Sequence, residues 1–127
     1  MPTRTRVYFD ASVYVTVFLG EDEPDFAISE AAITAAEQGA IEGAFSGLVM
    51  AETVGAPRIR VGDGTQADRD RRLGHVVEYF RASRFLYVEE SRRAGERAIE
   101  LAVDFDLRGP DAMHVALAEL AGCGEFY

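Results

Sequence analysis

The sequence has 127 residues, 48% of them apolar, and a formal net charge of −9, which suits one domain with its own hydrophobic core. No apolar run approaches the roughly 20 residues of a membrane span, the opening MPTRTRVYFD has no signal-like apolar core, and a single cysteine, Cys123, excludes an intramolecular disulfide and a Cys-rich zinc site; the expectation is a cytoplasmic protein, no membrane partner and a buried, inert thiol. All 13 basic residues are arginine, which excludes Schiff-base and phosphate-loop lysines, and the acidic balance argues against a generic polyanion binder while leaving room for an enzyme with a local Arg patch.

Residues 6–9 are β-rich and predict the first strand. The following SVYVTVFLG continues that strand or enters a helix, its β-branched residues leaving both open. Glu21-Asp22-Glu23-Pro24 reads as a helix start, with acid near the positive end and Pro in the first turn. Ile28, Ala31, Ala32 and Ala35 then recur at helical spacing as far as Gly39. Residues 43–46 form a short second strand, and 48–55 a short helix closed before Pro57. RIRVGDGTQADRDRR reads as an Arg-rich, Gly-containing loop. Leu73, Val76, Val77 and Phe80 lie at i, i+3, i+4 and i+7 of a helix. Residues 85–88 predict a third strand; Ala94, Ala98, Leu101, Ala102 and Phe105 mark another helix. A last helix restarts at Pro110 with Met113, Leu117 and Leu120 on one stripe, and Glu125-Phe126-Tyr127 begins a fourth strand. Strands alternating with helices imply an α/β fold with a central parallel sheet covered on both faces, in a single domain over 1–127.

In such a sheet, ligands bind at the carboxyl ends of the strands. Asp10 sits at the end of the first strand, Glu52 in the helix fed by the second, and Asp111 in the first turn of the last helix. Carboxylates crowded on one edge raise each other's pKa unless a cation neutralises them, and Mg²⁺ or Mn²⁺ prefers oxygen ligands. A divalent-metal site is therefore one reading. The others stay open: Asp10 as an ordinary helix cap, Asp111 as a complement to the helix dipole, Glu52 as a solvated helix residue. His114, on the face of Asp111, reads as structural or rim-exposed rather than as a ligand or base.

Three segments together are more specific. VYFDASVYVTVFLGED, FSGLVMAETVGAPRIR and LRGPDAMHVALAELAGCGEFY resemble, in order and spacing, the PIN domain, and within it the VapC-type ribonuclease toxins of toxin–antitoxin pairs. The matching positions are Asp10, Ser12 and Val13; Ser46 with Ala51-Glu52; and Pro110, Asp111, Ala112 and His114. The resemblance implies a three-layer α/β/α fold and a Mg²⁺- or Mn²⁺-dependent endoribonuclease. Asp10, Glu52 and Asp111 would be the catalytic metal ligands, with Ser12 and Ser46 as supporting polar groups. The family pattern continues past the Phe-Tyr strand to a last strand and a further acidic residue, which would lie beyond Tyr127; no fourth ligand is assigned.

Attack by water on an RNA phosphodiester needs no protein nucleophile and leaves 5′-phosphate and 3′-hydroxyl ends. Arg58, Arg60, Arg69, Arg71 and Arg72 are the candidate RNA contacts, or else they balance Asp63, Asp68 and Asp70. Single-stranded or looped RNA is the expected substrate, tRNA among the candidates. The resemblance also implies a homodimer and a cognate antitoxin, whose basic segment an acidic protein would attract. The alternative is a PIN-like RNA- or protein-binding module without catalysis. Phosphoaspartyl-transfer folds fit poorly: receivers use a lysine that is absent, and dehalogenase-type phosphatases place an Asp where this chain has Ser12.

Overall fold

The computed structural model describes residues 4–127; residues 1–3, the start of the segment read for a leader, lie outside it. Strands β1 (Arg6–Tyr8), β2 (Glu42–Ser46), β3 (Leu86–Val88) and β4 (Glu125–Phe126) form one sheet in the order β3-β2-β1-β4. Every pairing is parallel, with Tyr8 level with Ala44 on one side and Phe126 on the other. The connections are α1 (Ala11–Leu19), α2 (Phe26–Glu37), α3 (Gly47–Gly55), α4 (Pro57–Arg60), α5 (Gln66–Ala82), α6 (Arg92–Phe105) and α7 (Gly109–Leu120). Among the described residues no helix is long and apolar enough to cross a membrane.

Successive strand residues face opposite ways, yet Val7, Tyr8 and Phe9 are all essentially fully buried. The central strand is therefore covered on both faces. Ser46 lies two residues beyond Ala44, the register partner of Tyr8, so Tyr8 and Ser46 share a face. His114 of α7 packs on that face against Tyr8. Phe9 and Phe45 point the other way, towards Tyr14 of α1 and Phe80 of α5. The result is helices on either side of a parallel sheet. α6 and α7 pair closely and add a satellite core of Ala98, Leu101, Ala112 and Ala116. The turn between them starts at Asp106, in the left-handed region at φ 53°, which a short polar side chain tolerates better than most.

The structure decides or corrects several local expectations. Residues 11–19 are helical because Asp10 is extended and its carboxylate accepts from the Ser12 amide, a cap that outweighs the β-branched content. The stretch read as an Arg-rich loop is largely helix. Pro57 opens α4, and a reciprocal Thr65–Asp68 capping box starts α5; only residues 61–65 between them, with Gly62 and Gly64 at positive φ, are loop. In α2 the buried face is Ser29, Ile33 and Ala36, while Ile28 is 66% exposed. Phe105 at the end of α6 is also 66% exposed, so the apolar stripe of that helix turns outward in its last turn. Cys123 is partly buried, and burial pushes its thiol up.

Candidate active site

The carboxyl ends of β1 and β2 carry the site. Asp10 follows β1 and is held in line with the sheet by a 2.8 Å bond from its amide to the Tyr127 carbonyl. Its Oδ1 accepts from the Ser12 amide at 2.8 Å and from the Ser12 hydroxyl. Its Oδ2 has no hydrogen-bond partner among the described residues, and the side chain is half-buried at the surface. Ser46 ends β2, is fully buried, and caps α3 by accepting from the Val49 amide at 3.4 Å. Glu52 then lies in the second turn of α3, its side chain 40% exposed, with Oε1 against Nε2 of His114.

His114 is not at the rim. It is 4% exposed, and its Nδ1 lies 2.8 Å from the Tyr8 hydroxyl. That hydroxyl is in turn 2.8 Å from Ser46 Oγ. A buried polar chain thus runs Ser46–Tyr8–His114–Glu52 across β2, β1, α7 and α3. Burial pushes the Tyr8 phenol well above the usual tyrosine range; the Ser46 hydrogen bond pulls the other way, and the charges of Glu90, Glu52 and Asp10 add to the rise. All three carboxylates therefore lie within electrostatic reach of one buried hydroxyl.

Asp111 occupies the first turn of α7, exposed, with Arg108 Nε 3.3 Å from its Oδ2. It lies one turn before His114 and so on the same helical face. Among the described residues no three Asp, Glu, His or Cys side chains converge closely enough to hold a metal ion by themselves. The donor set still suits a hard divalent cation. Asp10 Oδ2 is uncommitted, all candidates are oxygen donors, and Mg²⁺ commonly binds through one or two carboxylates together with water and substrate phosphate.

The five arginines differ. Arg58 is paired with Glu23, which lowers the Glu23 carboxyl. Arg71 reaches Asp68 at 3.3 Å and Arg69 reaches Gln66 at 2.9 Å. Arg72 donates through Nε to the Ile59 carbonyl at 2.8 Å, and its other nitrogens reach the Val61 and Asp63 carbonyls, so it ties α5 to the preceding turn. Arg60, exposed at the end of α4, makes no side-chain hydrogen bond among the described residues.

Sequence reasoning passed over Tyr8 and Glu90. Glu90 follows β3, and its Oε1 accepts from the Leu48 amide at 2.9 Å, so it caps the start of the helix that carries Glu52. Its signal was the one used for Asp10, an acid just past a strand. Tyr8 had a weaker one, a phenol in an otherwise apolar strand.

A family model for the PIN domain matches residues 7–126. The chain belongs to the PIN domain family. Solved structures share this PIN fold at low identity. VapC20 of Mycobacterium tuberculosis, described as a sarcin–ricin loop cleaving toxin, matches with a TM-score of 0.71 at 17% identity, over 95% of this chain and 87% of that one. A toxin–antitoxin complex from Klebsiella pneumoniae matches with a TM-score of 0.61 at 19% identity, over 94% and 82%. VapBC2 of Rickettsia felis, bound to a DNA fragment from its promoter, also gives 0.61, at 12% identity, over 94% and 84%. No curated protein matches the sequence.

Proposed function

We propose that this PIN domain is a divalent-metal-dependent endoribonuclease, acting in the cytoplasm as the toxin of a toxin–antitoxin pair. The observation that carries the reading is the carboxylate arrangement at the carboxyl ends of β1 and β2. Asp10 presents an oxygen there with no partner among the described residues, and Asp10, Glu52 and Glu90 all lie within electrostatic reach of the Tyr8 hydroxyl. Asp10, Glu52 and Asp111 would hold Mg²⁺ or Mn²⁺. When bound, such an ion supplies an activated water near neutral pH and stabilises charge on the phosphate oxygens.

The chain's own residues then have separable tasks. Ser12 fixes the Asp10 carboxylate by two donors to one oxygen, leaving the other without a partner among the described residues. Ser46 holds the start of α3 and so the height of Glu52 above the sheet. A net charge of −9 repels RNA at long range, so local cations must compensate. Arg60, without a side-chain partner among the described residues, is the most available of the five arginines for a phosphate; Arg72 is occupied by backbone carbonyls. The likeness in fold to toxins and toxin–antitoxin complexes supports an antitoxin partner, and a homodimer belongs to the same reading.

The test is incubation of a defined RNA panel, tRNA included, with and without Mn²⁺, beside the Asp10→Asn variant. Cleavage that requires Mn²⁺, leaves 5′-phosphate ends and disappears in Asp10→Asn is the expected outcome. Cyclic phosphate products, or cleavage indifferent to metal and to Asp10, overturn it. Tight RNA binding without cleavage of any RNA would instead make the chain a binding module.

A further inference from the structure

We infer that His114 is a positioning residue, locked by Tyr8 and Ser46 into the tautomer that carries its proton on Nε2, and that this lock aims the Glu52 carboxylate. The inference rests on the proposed role of Glu52 as a site carboxylate.

Each group in the chain has limited options. The Val49 amide can only donate, and it donates to Ser46 Oγ. The Ser46 hydroxyl is fully buried and its only other hydrogen-bond partner among the described residues is Tyr8. Its proton therefore goes to the Tyr8 oxygen. The Tyr8 proton must then go to His114 Nδ1, since one hydroxyl has one proton. With Nδ1 accepting, the imidazole proton sits on Nε2, facing Glu52 Oε1. An ionised carboxylate only accepts, so the order closes without a stranded group. The reverse order would have Nδ1 donate to Tyr8 and Tyr8 donate to Ser46. It would leave the Ser46 proton buried with no acceptor, an unmade hydrogen bond of the costly kind.

The order has a mechanical consequence. Glu52 has a long, partly exposed side chain that would otherwise sample several rotamers. The imidazole that holds it is buried, fixed at both ring nitrogens, and packed against the Tyr8 ring at 5.7 Å. His114 also lies one turn from Asp111 on α7. The bond from Glu52 to His114 therefore sets the spacing between the α3 carboxylate and the α7 carboxylate. Ligand-orienting hydrogen bonds of this kind commonly change metal affinity or activity by about 10- to 100-fold when removed.

The experiment uses the full chain and the variants Tyr8→Phe, His114→Ala, His114→Gln and Glu52→Gln. Imidazole ¹⁵N spectra of the metal-free protein read which nitrogen holds the proton. Titration with Mn²⁺ alone reads affinity, and cleavage kinetics separate kcat from KM. The expected result is a proton on Nε2 of His114, Mn²⁺ binding weakened about 10-fold in His114→Ala, and a matching fall in kcat with KM for RNA little changed. His114→Gln, whose amide can still donate to Glu52, recovers part of the loss. Tyr8→Phe removes one oxygen, keeps the ring stacked on Phe126, and gives a smaller loss with mixed tautomers. A proton on Nδ1 overturns the inference. So does a lowered melting temperature in His114→Ala and Tyr8→Phe with Mn²⁺ affinity and kcat untouched, which is what a purely structural histidine would give. Loss of Mn²⁺ binding in Glu52→Gln but not in His114→Ala overturns the inference alone. Unchanged Mn²⁺ binding and cleavage in Glu52→Gln overturns the functional reading and this inference together.

Discussion

Asp10 caps α1 through the Ser12 amide, so part of what any substitution there does is helical rather than catalytic. Asn caps about as well as Asp, whereas Ala costs about 1 kcal/mol. Asp10→Asn is therefore expected to leave the urea midpoint nearly unchanged while abolishing cleavage; Asp10→Ala should lower both. If Asp10→Asn unfolds the protein, the carboxylate charge is structural and its loss says nothing about catalysis. Gly43 gives a second residue-scale expectation. A Cβ at that strand position would sit 2.8 Å from the Phe85 ring, which is partly buried and packs against the core. Gly43→Val is expected to cost about 1–3 kcal/mol by overpacking, measured by urea unfolding, and to spare the site at the other end of β2. At this scale the positions of Asp10 just after a strand and Asp111 in the first turn of a helix were legible, and Glu52 only as a residue of the helix that β2 feeds. Tyr8 and the placement of His114 were not, since a relay between four elements has no spacing in the sequence.

Among the elements, the segment from α4 to α5 separates two kinds of arginine. Arg72 donates to carbonyls of the turn it follows, and the Arg60 side chain donates to none among the described residues. Arg72→Ala is expected to destabilise the protein by roughly 0.5–1.5 kcal/mol, since the part-buried Ile59 carbonyl loses its donor, and to speed amide exchange in residues 59–64. Arg60→Ala should leave stability within about 0.5 kcal/mol while weakening RNA binding and shallowing its salt dependence by about one phosphate contact. Equal effects of the two on RNA affinity would move the nucleic-acid surface elsewhere. The same segment shows what the sequence conceals. Its glycines and charges read as a loop, yet the Thr65–Asp68 box was present in the letters and starts a 17-residue helix. For α2 the apolar letters Ile28 and Ala31 suggested one stripe, and packing chose the face of Ile33 and Ala36 instead. Alanine and serine are small enough to bury on either side, so periodicity alone could not decide.

For the whole molecule, the parallel sheet was legible because strands and helices alternate, but the aromatic layer that fills one side of it was not. Buried phenols, Tyr14 and Tyr79 in that layer and Tyr8 on the opposite face, make the fold sensitive to alkali. Burial pushes the phenols of Tyr8 and Tyr14 above the usual tyrosine range and that of Tyr79 up to about 12. In the unfolded chain these groups ionise near 10. Below about pH 10 both states keep the protons and the full stability is present. Between there and the folded values the folded state binds more protons than the unfolded, so stability falls as pH rises. The phenolate absorbance of these three of the five tyrosines is therefore expected to appear together with loss of the far-ultraviolet circular dichroism signal, in one cooperative step above pH 10. Absorbance that titrates fully before the dichroism changes would mean that these rings are accessible in the folded state. Tyr14 sharpens the test, because its hydroxyl is buried with no hydrogen-bond partner among the described residues. An unmatched buried hydroxyl is a cost at neutral pH as well. Tyr14→Phe should keep the ring contacts with Phe9, Tyr79 and Phe80, leave neutral-pH stability unchanged or raised by about 1 kcal/mol, and move the alkaline midpoint upward. A loss of stability above about 1 kcal/mol would show that the hydroxyl has a partner after all.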